Sequence, residues 1–400
     1  MRSSSASSKS TFLSNPGAFS LRNVRWTEVD WHILLIALVL LGLGLMFLDA
    51  MADSVSSQTK EAIYLGPHLK KVALTCPLIL VGMLVRPSWL RRRAHYFYGA
   101  CLVLLALVPF IGDERNNARR WIQLPAFDLQ PSELAKLGVI VILAKLLHRN
   151  RLEKFSDWIK PALCALIPMG MVALQPDLGT ALTIVPVSLG MFYLAGARAR
   201  VLFGFCIAGV FAAFLAIQAN FIHEYQLRRI DTWRDSYMPE DLIAHKNRLG
   251  FHVYQARLAI GNGGFTGRGL GEGIANETGY LPERTSDSMF AVIAEEAGFI
   301  GAGGLLLLYT LFAVLMMGSA AGLRDRFARL VVGGVALYFF AHVFINVAVN
   351  IGLLPMTGLT LPLFSTGGSS LLVTFLALGL ALGLASHHEP HLDQDAFRTY

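Results

Sequence analysis

The chain has 400 residues, of which 54% are hydrophobic and 15% charged, with a formal net charge of +7 and a mean hydropathy of +0.52. Soluble domains carry about 25% charged residues, so this balance excludes an ordinary soluble enzyme and predicts a polytopic membrane protein. The positive charge sits mainly in short loops, where it faces anionic lipid, so nucleic acid is not an expected partner.

Residues 1–28 begin Ser-rich and basic and read as a cytoplasmic tail; the apolar run that follows lacks a small-residue cleavage site and reads as a retained anchor. Runs long enough to span a bilayer then recur near Trp31–Met51, Val72–Val85, Ala94–Gly112, Glu133–His148, Trp158–Leu174, Leu178–Ala195 and Val201–Ala219. Further runs lie near Ser288–Met317, Leu330–Leu353 and Ser369–Ala385, about ten in all. The expected fold is therefore an all-α membrane domain, residues 29–386, with a large extracytoplasmic loop, 220–287, between the seventh and eighth spans, and a cytoplasmic tail, 387–400. Arg86, Arg91, Arg92 and Arg93 follow the second span, Arg149, Arg151 and Lys154 the fourth, Arg198 and Arg200 the sixth, and Arg324, Arg326 and Arg329 the eighth. The positive-inside rule then places both termini in the cytoplasm, and the long basic outer loop is exempt by its length. Cys76, Cys101, Cys164 and Cys206 all fall within expected spans, so no structural disulfide is expected.

Polar groups gather on the predicted outer side. Arg119-Arg120-Trp121 precedes Gln130-Pro131-Ser132-Glu133-Leu134-Ala135-Lys136, where Pro131 opens a helix and Glu133 and Lys136 share a face. That pair reads equally as a stabilising contact at a helix entrance. In Gln175-Pro176-Asp177-Leu178-Gly179-Thr180, Asp177 reads first as a helix N-cap. His342, Asn346 and Asn350 form one stripe of the ninth span, read as interhelical hydrogen-bonding groups, with Asn350 nearest the outer face and best placed to meet a substrate. Leu354–Ser370 carries prolines, glycines and hydroxyls, the mark of an irregular segment at membrane depth. Gly367-Gly368, before a helix, either offers backbone N–H groups to a phosphate or packs tightly against neighbours.

The outer loop contains Gly261-Asn262-Gly263-Gly264-Phe265-Thr266-Gly267-Arg268-Gly269-Leu270-Gly271, which lacks the βαβ context of a dinucleotide site. His252–Ile260, before it, reads as a short amphipathic segment on the outer membrane surface. Leu281-Pro282-Glu283-Arg284-Thr285-Ser286-Asp287 then runs straight into an apolar span, with Asp287 at the doorway and Glu295 and Glu296 deeper. Walker, zincin, nucleophile-elbow and Cys/His metal spacings are absent from the sequence, so nucleotide, haem and zinc chemistry are not expected.

Six stretches in order, QPSELAK (130–136), QPDLGTAL (175–182), AIGNGGFTGRGLGEG (259–273), LPERTSD (281–287), FAVIAEE (290–296) and LPLFSTGGSSLL (361–372), resemble the SEDS family of bacterial shape, elongation, division and sporulation proteins, the RodA/FtsW-like group. The resemblance covers nearly all of the chain after the first tail. It implies about ten spans, a peptidoglycan glycosyltransferase acting on lipid II at the outer face of the cytoplasmic membrane, and partners among the class B penicillin-binding proteins and other elongation or division proteins. It places the family's essential acidic residue on Asp287, a natural general base for a single inverting displacement. Arg120, Lys136, Arg284 or a divalent cation such as Mg or Mn would meet the departing diphosphate, with Glu133 orienting Lys136 and Asp177 holding a metal or the fold. Asn350, Ser365, Gly367 and Gly368 complete the expected substrate-binding set. The chain departs from the family pattern in carrying Thr285-Ser286-Asp287-Ser288 for the usual His-Thr-Asp-Phe, and Ser365-Thr366-Gly367-Gly368 for Ser-Tyr-Gly-Gly. Elongation and division branches both remain open, as do two other functions: a lipid-linked precursor flippase using Glu295, Glu296 and His342, and a silent scaffold that recruits a transpeptidase.

Overall fold

Each long apolar run forms a helix, as the hydropathy requires. The computed structural model describes residues 24–53, 65–115, 118–123, 128–218, 224–235, 237, 248–278 and 281–387; most of both expected tails and parts of the outer loop lie outside the described residues. The helices are α1 (Trp31–Asp53), α2 (Leu65–Thr75), α3 (Pro77–Leu84), α4 (Pro87–Ile111), α5 (Pro131–Leu147), α6 (Phe155–Leu174), α7 (Leu178–Leu194) and α8 (Ala199–Gln218). There follow α9 (Glu224–Asp235), α10 (Arg248–Gly263) and α11 (Ile274–Thr278) in the outer loop, then α12 (Met289–Gly322), α13 (Arg326–Asn350) and α14 (Gly368–Ser386). Pro77, which has no N–H to donate, sits at the first position of α3 and divides the second run in two.

Seven helical units among the described residues are long and apolar enough to cross a membrane, with α2 and α3 counted as one. Shorter apolar helices lie within α7 and α8, at Gly179–Leu194 and Ala199–Ala212, and the 17-residue α5 stands where a further span is expected, which is consistent with about ten. The protein is a multi-pass membrane protein. Its centre is formed by α13 and α14, whose apolar windows are 78% and 72% buried, against 22% for α4 and 28% for α6 and α12. The rim helices turn Leu107, Phe110, Leu166, Phe203 and Leu307 outward, as lipid-facing surfaces do. α3 lies directly against α14 because small residues line the contact: a Cβ on Gly379 would stand 2.2 Å from the Ile79 carbonyl oxygen, and one on Gly82 2.6 Å from the Leu380 nitrogen.

The fold is the expected helical membrane domain, to which β1 (Asp113–Arg115), β2 (Ala118–Gln123) and β3 (Asp128–Leu129) add a small antiparallel sheet on the link between α4 and α5, with Ile122 opposite Leu129. One expectation needs correction: the segment around 252–260, read as an amphipathic stretch on the membrane surface, turns its apolar face to protein. Its apolar face, Val253, Ala256 and Ala259, is buried against protein, with α12 as its main neighbour.

Candidate active site

The two Gln-Pro motifs fold into one corner. Asp177 caps α7, its Oδ1 accepting from the Thr180 N–H at 3.3 Å. Its Oδ2 accepts from Gln130 Nε2 at 2.9 Å and Ser132 Oγ at 3.1 Å, so the carboxylate ties the start of α5 to the start of α7. Arg120, carried by β2, donates from Nε to the Gln175 carbonyl at 3.1 Å and from Nη2 to that of Pro176. One turn into α5, buried Lys136 donates to Glu133 Oε1 at 2.7 Å and to His342 Nε2 at 2.6 Å, with the Tyr338 ring 5.4 Å away. A buried ammonium needs such partners, and here they come from both its own helix and α13.

Asp287 sits two residues before α12, on a loop whose backbone is held at three consecutive carbonyls. That of Thr285 accepts from Thr366 N and Oγ1, both at 3.0 Å. That of Ser286 accepts from Ser365 Oγ at 2.6 Å, and that of Asp287 from Asn346 Nδ2 and Asn350 Nδ2, each at 3.0 Å. The polar stripe on α13 and the irregular segment before α14 thus meet at one place. The Asp287 carboxylate is half-buried, and no hydrogen bond among the described residues engages it. It faces Gly358, where a Cβ would stand 3.5 Å from Oδ2. Burial, then the nearby Glu283 carboxylate, pushes the Asp287 carboxyl up to about 7, with Arg229 pulling the other way. A free carboxylate near neutrality, on a fixed backbone, can take a proton from a hydroxyl.

The deeper acids are placed differently. α12 is broken at Gly298, whose φ of 67° no ordinary side chain favours. The glycine-rich loop fills the break: Arg268 N and Gly269 N donate to the Glu295 and Glu296 carbonyls at 3.1 and 3.0 Å, and Phe299 N donates to Gly264 at 3.0 Å. That approach demands glycine, since a Cβ on Gly263 would lie 1.9 Å from the Ala294 oxygen. Glu295 Oε2 accepts from the Ala275 N–H at 3.1 Å, and Glu296 Oε1 accepts from Asn276 Nδ2. These acids anchor α11 and the loop to the bundle.

Of the ten residues nominated from sequence, Asn350 meets Asp287 directly, Ser365 holds the neighbouring Ser286 carbonyl, and Glu133 meets Lys136. Gly367 is the N-cap of α14 and Gly368 its first residue, one and two positions beyond Thr366. Arg284 donates to the Ala275 and Asn276 carbonyls at 3.3 and 2.9 Å. Asn350, expected to meet substrate, has its amide nitrogen on the Asp287 carbonyl. Thr285 and Thr366, the two threonines at the departures from the family pattern, touch one another. Sequence reasoning missed His252, whose Nε2 lies 3.2 Å from the buried Ser288 Oγ. Burial lowers the His252 pKa against the opposing pull of the Pro282 carbonyl and Glu283, which keeps the ring neutral. It missed Lys71 as well, whose Nζ lies 3.4 Å from the Thr366 carbonyl oxygen. Lys70-Lys71, immediately before the Val72–Val85 apolar run, was the available signal.

The family model described as "Cell cycle protein", that of the FtsW, RodA and SpoVE proteins, matches residues 30–390. The chain is 36% identical over 378 residues to a probable peptidoglycan glycosyltransferase FtsW of Thiomicrospira cyclica, covering 88% of this chain and 91% of that one. It is 34% identical over 321 residues to the peptidoglycan glycosyltransferase MrdB of Escherichia coli K12, covering 80% and 85%. The fold is similar to a solved structure described as "Structural coordination of polymerization and crosslinking by a peptidoglycan synthase complex", with a TM-score of 0.76, 32% identity and coverage of 90% and 98%. It is similar also to the rod shape determining protein RodA of Thermus thermophilus, with a TM-score of 0.66, 31% identity and coverage of 90% and 97%. With a family model matching residues 30–390 and relatives more than 30% identical over most of both chains, the chain belongs to the FtsW/RodA/SpoVE family.

Proposed function

We propose that the chain is an inverting peptidoglycan glycosyltransferase that polymerises lipid II into β-1,4 glycan strands at the outer face of the bacterial cytoplasmic membrane. In this reading both termini lie in the cytoplasm and the Asp287 loop faces outward. A class B penicillin-binding protein cross-links the product, and other elongation or division proteins complete the assembly. The observation that carries the reading is the Asp287 loop: three consecutive carbonyls are held by Thr366, Ser365, Asn346 and Asn350, while the carboxylate itself is left free.

In the reaction an acceptor sugar hydroxyl attacks the anomeric carbon of a lipid-linked donor. Asp287 takes the hydroxyl proton as the new C–O bond forms, and the lipid diphosphate leaves from the opposite face with the electron pair of the broken bond. A single displacement inverts the anomeric centre and turns an α-linked donor into a β-linked polymer. Thr366, Ser365, Asn346 and Asn350 keep the base in place. His252, on the buried side through Ser288, is a further support for the loop.

A divalent cation, Mg or Mn, would stabilise the diphosphate charge when bound. Asp177, nominated to hold one, already has Gln130, Ser132 and the Thr180 N–H on its two oxygens, and the described residues contain no group of three acidic, His or Cys ligands. The residues therefore do not fit a protein-built metal site, and no step here runs through a cation. The residues a flippase would claim have other partners: Glu295 and Glu296 hold α11, and His342 meets Lys136.

The test is glycan polymerisation from purified lipid II by wild type and Asp287→Ala, each with the cognate class B partner. Strands from wild type and none from the variant are expected. Strands from both would remove Asp287 from the mechanism, and none from either would favour the transporter or scaffold readings.

A further inference from the structure

The cations nominated to meet a diphosphate are engaged elsewhere. Arg120 holds the Gln175–Pro176 turn, Lys136 is shared between Glu133 and His342, and Arg284 holds two carbonyls of α11. Lys71 is placed otherwise. It is half-buried on α2 and reaches the outer end of α14. There its Nζ makes, among the described residues, one long bond, 3.4 Å, to the Thr366 carbonyl, although an ammonium has three protons to donate. Its stem passes Gly368, where a Cβ would stand 3.5 Å from Lys71 Cδ.

This end of α14 is open. Gly367 is the N-cap, and no side chain caps the first turn of this 19-residue helix. Unpartnered N–H groups and the positive end of the helix dipole favour an anion there. A second observation points the same way. His68 is 1% exposed, and neither of its ring nitrogens has a hydrogen-bond partner among the described residues. It lies one turn before Lys71 on the same face of α2. α2 packs on α14, and α3 runs in the same direction as α14, with Ile79 against Gly379 and Met83 against Gly383. One turn before Lys71 is therefore level with the Thr366–Gly367 approach, just beyond the helix start. Every tautomer of imidazole has a proton to donate, and a buried one without an acceptor is costly until a ligand supplies it.

We propose that the outer end of α14, Lys71 and His68 together form a subsite for the diphosphate of a lipid-linked substrate. The proposal rests on the glycosyltransferase reading, for it names where that reaction's diphosphate is held. The position suits the chemistry: Thr366 accepts from Lys71 through its carbonyl and donates to the Thr285 carbonyl, two residues before Asp287. Diphosphate and base are thus presented by two touching segments.

The test is direct binding to the full-length protein in phosphatidylcholine nanodiscs. The probes are a short-chain polyprenyl diphosphate, the matching monophosphate and inorganic pyrophosphate, with a repeat of the series in phosphatidylglycerol. Wild type and Asp287→Asn should both bind the polyprenyl diphosphate about tenfold or more tighter than the monophosphate, about 1.4 kcal/mol per tenfold. Lys71→Met, which keeps the stem and removes the charge, should erase that preference. His68→Phe should weaken diphosphate binding about threefold, and Lys71→Arg should retain most of it. If Lys71→Met fails to fold, Gly368→Ala serves instead, because its methyl stands at ordinary contact distance from the lysine stem and should weaken binding about threefold. Pyrophosphate competing in a Lys71-dependent manner would support a subsite for the diphosphate itself. Unchanged binding in a folded Lys71→Met or Gly368→Ala protein would overturn the proposal. So would equal affinity for the monophosphate, or loss of the preference in phosphatidylglycerol, which marks a general anionic-lipid contact. Since Asp287→Asn retains the subsite, diphosphate binding intact in both proteins with no polymerisation by wild type, or with equal polymerisation by Asp287→Asn, would count against the catalytic reading alone.

Discussion

The Asp287 loop and the break in α12 are both irregular backbone beside the same bundle, and they treat their acids in opposite ways. At the break, backbone N–H groups of the glycine loop find carbonyl partners, both Glu295 oxygens are bonded, and Glu296 holds α11 through Oε1, with only its Oε2 left over among the described residues. At the loop, carbonyls find partners in Ser365, Thr366, Asn346 and Asn350, and the carboxylate is left over. Asp177 falls with the first group, since its oxygens cap α7 and join it to α5. Burial of an acid at membrane depth therefore does not by itself mark a functional site; an acid whose backbone is fixed by others while its own oxygens stay free does.

The largest effect is expected where the structural region has no slack. Gly263→Ala places a methyl 1.9 Å from the Ala294 oxygen. It should prevent the loop from docking in the break and cost several kcal/mol, about the upper range for single substitutions. Thermal unfolding of the detergent-solubilised protein reads this, and an unchanged Tm would mean that the loop docks elsewhere.

The catalytic region should behave the other way, losing rate before stability. Asn346→Ala with Asn350→Ala releases the Asp287 carbonyl and should lower kcat by about tenfold to a hundredfold, with KM little changed, as misplacement of a catalytic group does. A large fall in Tm with unchanged kcat would place these amides among the purely structural contacts.

Much of this contrast could be read from residues, and some could not. The ten spans followed from hydropathy, and Asp287 stood out as the one acid at a doorway between a charged loop and a span. Asp177 as a cap was legible from Gln-Pro-Asp followed by a helical run. The small sheet at 113–129 was not, because its strands are too short and too polar to show an alternating pattern. Nor was the true partner of α10, since Val253, Ala256 and Ala259 have the same spacing whether they meet lipid or protein. Thr285 and Thr366 register as two separate departures from the family pattern, and their contact across 81 residues appears only in space. Lys71 and His68 belong to the same class: spacing puts them on one face, and the fold supplies what that face meets.

A smaller stability effect separates the acids further. Glu295→Gln keeps the shape but weakens the charge-assisted bonds from the Ala275 N–H and Asn262, and should cost about 1–2 kcal/mol, read as a lower Tm with activity per folded molecule preserved. The gentlest test is pH. With the Asp287 carboxyl pushed up to about 7, the base is ionised above that pH and protonated below it. The polymerisation rate should therefore fall as pH drops through about 7, approaching tenfold per unit, and level off above. A rate that stays flat to pH 5 would mean an ordinary exposed carboxylate or a different base.

The most direct measurement is single-turnover glycan bond formation by wild type and Asp287→Asn on the same lipid-linked substrates, with the class B partner present and substrate binding followed in parallel. A held backbone and a free carboxylate predict that the variant unfolds at the wild-type temperature, binds substrate as tightly, and forms bonds at least a hundredfold more slowly. Bond formation within tenfold of wild type, or a loss traced to weakened binding or a fallen Tm, would contradict it.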